Sequence, residues 1–417
     1  MAQLSNDCFA FGGELMVIEE GLRLISERVT PVAETETVPL AQADGRILAK
    51  DIIAPLDLPG FDNSAVDGWA VRHADLKPDG DTVLPVQDRI AAGDRSAHRL
   101  APGTVARIFT GAAMPAGADT VFMQEDVRED GGNVVLPAGL SEGANRRLAG
   151  EDIAMGAVAL AAGQRIEPRH LALAAALGIT ELSVHRRLRV GVLSTGDEVT
   201  EPGTDLPPGG LYDANRFLLI GMLKRIGVEV TDLGIFRDEP GSLGVGIAEA
   251  AKTHDLLISS GGVSTGEEDH TRHVVEKIGT LVQWRLAIKP GRPVAMAVVH
   301  GTPFVGLPGN PVAVFVTYTQ VVRALIARLA GEDWTPPEPV PVRAAFPYKK
   351  KSGRREFVRV TLHRGADGVT EAHKHPREGA GVITSLTESS GLVELREDVT
   401  RLAGGEMVGY RSFADLF

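Results

Sequence analysis

A multidomain chain of α/β plus β class is what this sequence predicts, with a doubly wound α/β domain, a β-rich domain and a small C-terminal β domain. Three observations carry the prediction. From Leu188 onward, strand-like apolar runs alternate with helix-length segments, the pattern of a parallel sheet covered on both faces. Between Asp51 and about Asn145 the helical period disappears and short β-rich runs follow one another, separated by Gly, Pro and Asp. The proline cluster WTPPEPVPV at 334–342 reads as a linker, after which EFVRVTLH and GLVELRE announce a further set of strands.

Taken in order, Ile18, Leu22, Ile25 and Val29 fall at spacings of four, three and four, with charged residues elsewhere. That spacing predicts an amphipathic helix over 16–29, docking on its own chain or on a twin subunit. The runs Trp69–Val71, Val83–Val86, Val105–Phe109 and Thr120–Met123 are the expected strands of the β-rich domain, placed at 51–145. Residues 1–50 and 146–187, including the helix-like EPRHLALAAALGI, are expected to form a discontinuous N-terminal and connector domain. In the α/β domain, 188–331, strands are expected at Arg189–Leu193, Val228–Leu233 and Leu256–Ile258, with a strand pair across Val294–Val305. Helices are expected at Asn215–Ile226, Gly241–Lys252, Asp269–Ile278 and Pro311–Leu329. Residues 338–417 complete the chain as the C-terminal β domain.

Length and composition agree. At 417 residues the chain exceeds what one core usually organises, and 43% hydrophobic with 24% charged residues is ordinary for a globular protein. The balance of 43 basic against 55 acidic residues leaves no broad basic face for nucleic acid or anionic lipid. With Cys8 as the single cysteine, an intrachain disulfide and a Cys-based metal site are both excluded, and a reducing, cytoplasmic setting is expected. The start MAQLSNDCFA lacks a signal-peptide pattern, and Pro, Gly or charge interrupts the apolar runs short of a membrane span.

Ligands of open α/β sheets bind beyond the carboxyl ends of the strands, so the loops there carry the chemistry. Three stand out: STGDEV (194–199), SSGGVSTGEEDH (259–270) and GLPGNPVAV (306–314). In the second, Ser259, Ser260, Gly261 and Gly262 offer backbone to a ligand. In the third, Pro308, Gly309 and Asn310 precede Pro311, so Asn310 is expected to cap a helix whose free amides hold an anion. Glu198 and Asp269 supply hard oxygen donors for Mg²⁺ against phosphate oxygens. Arg285, Lys289 and Arg292, in WRLAIKPGRPVAM, read either as a solvated face or as an oxyanion site. In the β-rich domain, LPGFDNSAVDGWAV (58–71) contains Asp67-Gly68, which alone reads as a hairpin turn. No HExxH, GxSxG or GxxxxGK[ST] occurs, which disfavours a protease, a serine hydrolase and a P-loop NTPase.

Taken together and in order, PGFDNSAVDGWAV, FTGAAMPAGADTV, GEDI, STGDEV, YDANR, SSGGVSTGEEDH, LAIKPGRP and GLPGNPVAVF resemble the molybdopterin molybdenumtransferase family. The resemblance implies an elongated homodimer of four domains, one of them nucleotide-binding. It implies that adenylylated molybdopterin and molybdate are the substrates, that Mg²⁺ assists, and that AMP is released as molybdenum enters the dithiolene. By motif it puts functional carboxylates at Asp67, Asp152, Glu198, Asp238 and Asp269, with Thr110 and Lys289 beside them. Arg285 and Arg292 stand where lysines are common, Ala380 stands where a related enzyme has serine, and Arg355 in GRREF is a further expected contact. The resemblance also implies contact with a molybdopterin adenylyltransferase and with recipient molybdoenzymes, and a site shared between twin subunits. An adenylyltransferase is the alternative reading, since 188–331 would look much the same there; a non-catalytic scaffold is a more distant one.

Overall fold

The computed structural model describes residues 5, 8–9, 15–31, 34–94, 97–237, 239–261 and 270–416. The chain forms two compact units, 51–162 with 168–180, and 1–50 with 163–167 and 181–417. The first is the β-rich unit. Its six-stranded sheet places Gly68–Val71 between Thr120–Met123 and Val105–Ile108, followed by Thr82–Ile90, Asn133–Leu136 and Arg128–Asp130. Trp69, Val71, Val105, Phe122 and Leu136 fill one face; Ala70, Ile90, Ala106, Ile108 and Val121 fill the other. Neighbouring residues of a strand point to opposite faces, so both cores come from the same short runs.

This unit extends beyond the expected 51–145. Arg146–Arg147 pairs with Asn63–Ser64, Val158–Leu160 pairs with Ile52–Ile53, and the helix Pro168–Ala176 belongs to the same unit. The expected connector at 146–187 is therefore divided. Only 163–167 and 181–187 join residues 1–50, where Thr35–Pro39 pairs with Glu181–His185.

In the second unit, the six-stranded sheet runs in the order Glu229–Phe236, Arg189–Thr195, Leu256–Ser260, Thr302–Leu307, Pro293–Val299, Gly279–Arg285. The first four strands are parallel, whereas Pro293–Val299 is antiparallel to both its neighbours. The sheet is thus mixed rather than parallel, and its edge strand Gly279–Arg285 lies outside the expected strands because GTLVQWR has too few apolar residues to mark a buried run. Helices cover both faces. Leu243, Ile247, Val274 and Val275 pack with Leu257 and Phe304 on one side. Ile18, Leu24, Leu219, Val316 and Leu325 pack with Val190, Ile258 and Val305 on the other.

The N-terminal helix Ile18–Arg28 therefore docks on its own chain, against the helix Pro311–Ala330 and the fully buried Trp284. That long helix carries a π turn at Tyr318–Val322. By length and composition it would suit a membrane, yet 89% of its most apolar window is buried inside the protein.

The strands Val340–Ala344, Arg355–Arg364, Thr370–Lys374, Gly391–Leu395 and Met407–Ser412 form a five-stranded barrel, closed by pairing of Arg355–Arg364 with Gly391–Leu395. A two-residue strand of the α/β domain, Ile288–Lys289, adds in parallel to Arg355–Glu356. That pairing fixes Lys289 beside Glu356, and it governs the geometry of the candidate site.

Candidate functional site

The strands Arg189–Thr195, Leu256–Ser260 and Thr302–Leu307 end at one edge of the mixed sheet, and two adjoining clefts open there. The larger, about 580 Å³, is lined by Glu198, Gly261, Lys289, Arg292, Pro308, Gly309, Asn310, Arg354 and Ala380. The smaller, about 310 Å³, shares Glu198, Gly261, Gly309 and Asn310 and adds Ser194, Thr195, Tyr212, Asn215 and Ser260.

Gly261 is required where it stands. Its φ is +88°, and a Cβ there would lie 2.6 Å from the Thr195 carbonyl oxygen, so a side chain would meet both backbone strain and a backbone clash. Its N–H donates to the Leu307 carbonyl at 3.0 Å, tying two strand ends together under the cleft.

The cationic wall is organised by a buried carboxylate. Glu356, 1% exposed, accepts hydrogen bonds from Lys289 Nζ (3.2 Å), Arg354 Nε (2.8 Å) and the Tyr348 hydroxyl (2.9 Å). Burial opposes its ionisation, but the bonds from Tyr348, Lys289 and Arg354 outweigh burial and hold its pKa below the ordinary glutamate value. Lys289 and Arg354 consequently present two fixed positive charges to the larger cleft. Arg292 adds a third, exposed cation. Arg285 ends the edge strand opposite Pro293 and is exposed, but it lines neither cleft.

Arg355 does not face the cleft either. It is 7% exposed and paired with Glu19 (2.6 Å), Glu394 (3.0 Å) and Glu397 (3.0 Å), so its guanidinium is committed inside the fold. Arg354, in the bend just before the strand Arg355–Arg364, is the arginine that reaches the cleft. Composition does not distinguish the two adjacent arginines of GRREF; their positions in the fold set Arg354 at the cleft and Arg355, the expected contact, in ion pairs.

The helix start at Pro311 also differs from expectation. Asn310 makes no side-chain cap, and the Val312 N–H already donates to the Ala380 carbonyl at 3.0 Å. That amide is consequently not open to an anion. Asn310 and Gly309 still line both clefts, and the Gly309 carbonyl accepts from Asn215 Nδ2 at 2.7 Å. Ser260 lines the smaller cleft, whereas Ser259 is fully buried and its hydroxyl turns to the Gly261 carbonyl at 3.4 Å.

YDANR has a structural part that the motif hid. Asp213 and Arg216, 3% and 2% exposed, pair at 2.8 Å, and Asp213 also accepts from the Arg216 backbone N–H. The pair pins the start of the helix Asn215–Arg225 and so fixes Asn215. Buried atoms without a hydrogen-bond partner include Ser194 Oγ and Asn215 Oδ1, both in residues lining the smaller cleft. Both lie inside quoted motifs, STGDEV and YDANR, but nothing in the sequence marks their side chains as unpaired.

In the β-rich unit, Asp67 is held by Thr110. Its Oδ1 accepts from the Thr110 N–H at 2.8 Å and from the Thr110 hydroxyl at 2.7 Å. These bonds, with nearby Arg107, keep the carboxyl below its ordinary pKa. Gly68 begins a strand rather than a hairpin turn; a Cβ there would lie 1.8 Å from the Phe122 carbonyl oxygen. Asp152 sits on another turn, its N–H bonded to the Leu58 carbonyl at 3.0 Å and its side chain exposed. Gly262, Asp238 and Asp269 lie outside the described residues.

Among the described residues, no cluster of three or more His, Cys, Asp or Glu side chains is arranged to hold a metal. Glu198 is exposed and lines both clefts. A single hard carboxylate suits Mg²⁺, which keeps several waters and completes its shell with substrate phosphates.

Three family models match consecutive parts of the chain: the MoeA N-terminal region (domain I and II) at 16–178, a probable molybdopterin binding domain at 191–328, and the MoeA C-terminal region (domain IV) at 341–413. A molybdopterin molybdenumtransferase of Haemophilus influenzae is 37% identical over 404 residues, covering 96% of this chain and 100% of that protein. Another, from Nostoc sp., is 35% identical, covering 90% of this chain and 88% of its own length. Among solved structures, a molybdopterin biosynthesis protein of Pyrococcus horikoshii aligns with TM-score 0.80 at 27% identity, covering 96% of this chain and 100% of that one.

Proposed function

This chain belongs to the molybdopterin molybdenumtransferase family, with a role in molybdenum cofactor biosynthesis, and from that premise we propose that it transfers molybdenum from molybdate to adenylylated molybdopterin with release of AMP. The alternative adenylyltransferase reading requires only the α/β domain, whereas the family matches at 16–178 and 341–413 extend well beyond it.

The observation that supports this reading is the larger cleft, where Lys289 and Arg354, oriented by Glu356, join Arg292 opposite the backbone of Gly261 and Gly309. Guanidinium and ammonium groups bind oxyanions through charge-assisted hydrogen bonds, so this wall suits molybdate or the pyrophosphate bridge. Closely approaching backbone suits phosphate as well. Bound Mg²⁺ would neutralise charge on the phosphoanhydride, and Glu198, with Asp269 on the sequence reading, are the carboxylates that would hold it. Asp67 remains an ionised acceptor because Thr110 holds its carboxylate, which suits it to orient a water or a substrate hydroxyl. The family resemblance further implies a homodimer in which Asp67 serves the twin subunit's reaction.

Incubating the protein with adenylylated molybdopterin, Mg²⁺ and molybdate, and following AMP by chromatography, tests the proposal. AMP release that depends on molybdate is expected. Absence of that release from folded protein would sink the reading.

A further inference from the structure

We infer that Asn215 and Ser194 form a recognition edge for an amino-substituted heteroaromatic ring in the smaller cleft. The inference rests on the proposed function only for the identity of the ring; the edge itself comes from the geometry. Asn215 Nδ2 donates to the Gly309 carbonyl at 2.7 Å. A carbonyl can only accept, so the amide cannot be turned round, and Oδ1 is fixed as an acceptor. That atom is buried and has no partner. Ser194, 2% exposed, likewise leaves its buried hydroxyl without one.

Buried polar atoms are nearly always satisfied in folded proteins. Two orphans on different elements, a strand end and a helix start, both in residues lining one cleft, point to a ligand that completes them. Their chemistry specifies that ligand. A fixed acceptor calls for a donor such as an exocyclic amine, while a rotatable hydroxyl can donate to the adjoining ring nitrogen. The half-exposed Leu211 and Tyr212 on the same cleft offer apolar surface to the ring. Because Glu198, Gly261, Gly309 and Asn310 are common to both clefts, a ring held here leads its phosphates towards Lys289 and Arg354. Adenine and pterin both carry an amine beside a ring nitrogen, so either end of adenylylated molybdopterin has the required edge.

The test is equilibrium titration of the full-length protein, which needs no turnover and so stays readable if molybdenum transfer fails. One arm compares AMP with purine riboside 5′-monophosphate, which lacks the amine. The other compares 6-hydroxymethylpterin with the corresponding lumazine, whose amine is replaced by a carbonyl. Wild type should prefer the amino form in one arm by about tenfold, a scale set by one hydrogen bond in a buried site. Asn215→Leu should remove that preference, and the arm in which it disappears identifies the ring; Ser194→Ala, which loses the donor to the ring nitrogen, should weaken binding of the amino form about tenfold. Ser194→Ala should melt at or above the wild-type temperature, since it deletes a hydroxyl with no partner, whereas a purely structural serine would destabilise on removal. If Asn215→Leu fails to fold through loss of its tie to Gly309, Ser194→Ala still decides. Wild-type binding of neither ring, or wild-type affinity for the amino form in Ser194→Ala, overturns the inference.

Discussion

At the scale of single residues, neighbouring side chains of one kind have opposite duties. Arg354→Ala should cost less stability than Arg355→Ala, because Lys289 and Tyr348 stay on the buried Glu356, and weaken binding of the oxyanion ligand about tenfold or more, because it removes one charge-assisted contact from the cleft wall. Arg355→Ala should instead destabilise by about 1.5–3 kcal/mol, because it removes the largely buried cation shared by Glu19, Glu394 and Glu397, although Arg411 stays on Glu394. Urea denaturation and ligand titration of the two variants separate these outcomes; equal effects of both would show that the division is wrong. Asp67 gives a second residue-level test. Its folded pKa is depressed by the two Thr110 bonds, so its contribution to stability is present above the unfolded carboxyl pKa and is lost as pH falls through the lower folded value. Thr110→Val deletes the hydroxyl bond and keeps the backbone one, so the Asp67 pKa should rise. Carbon-detected NMR titration of the Asp67 carboxyl measures this directly, and an unmoved midpoint would remove Thr110 from the account.

Between elements, the decisive features are strand ends and the turns that leave them. Gly261 combines positive φ with a backbone oxygen 2.6 Å from where a Cβ would stand. Gly261→Ala should therefore cost at least about 1–2 kcal/mol from the left-handed backbone alone, and it should push the turn away from Thr195. Thermal melting should show the loss, and AMP binding should weaken with it. An alanine variant with wild-type stability and affinity would mean that the turn is not held as described. The pairing of Ile288–Lys289 with Arg355–Glu356 works in the same way, since it places a lysine of the sheet domain against a carboxylate of the barrel. Sequence periodicity marks each strand separately and carries no information about such a partner.

For the molecule as a whole, the two units carry different parts of the expected chemistry: Asp67, Thr110 and Asp152 in one, Glu198, Lys289, Arg292 and Arg354 in the other. If one reaction draws Asp67 from one subunit and Glu198 from its twin, as the resemblance implies, inactive Asp67→Asn and Glu198→Gln chains should complement on mixing. Random pairing makes half of the dimers mixed, each with one intact and one doubly damaged site, so about a quarter of wild-type activity should return. Mass spectrometry of isotope-labelled chains confirms the exchange. Activity that stays at the level of the separate variants despite exchange would rule out sharing.

The sequence by itself determined most strands and helices of the α/β domain, though not its edge strand Gly279–Arg285, because period-2 and helical patterns and Gly-rich turns are local properties of the chain. Its ordered motifs determined the family as well. Tertiary structure alone decided that Arg354 rather than Arg355 lines the cleft, that Ala380 occupies the Val312 amide, and that Gly309 locks the Asn215 amide in one orientation. It also assigned 146–162 and 168–180 to the β-rich unit. Each of these depends on a partner far away in the chain. Burial, strand partnership and hydrogen-bond satisfaction come into being only when distant segments meet.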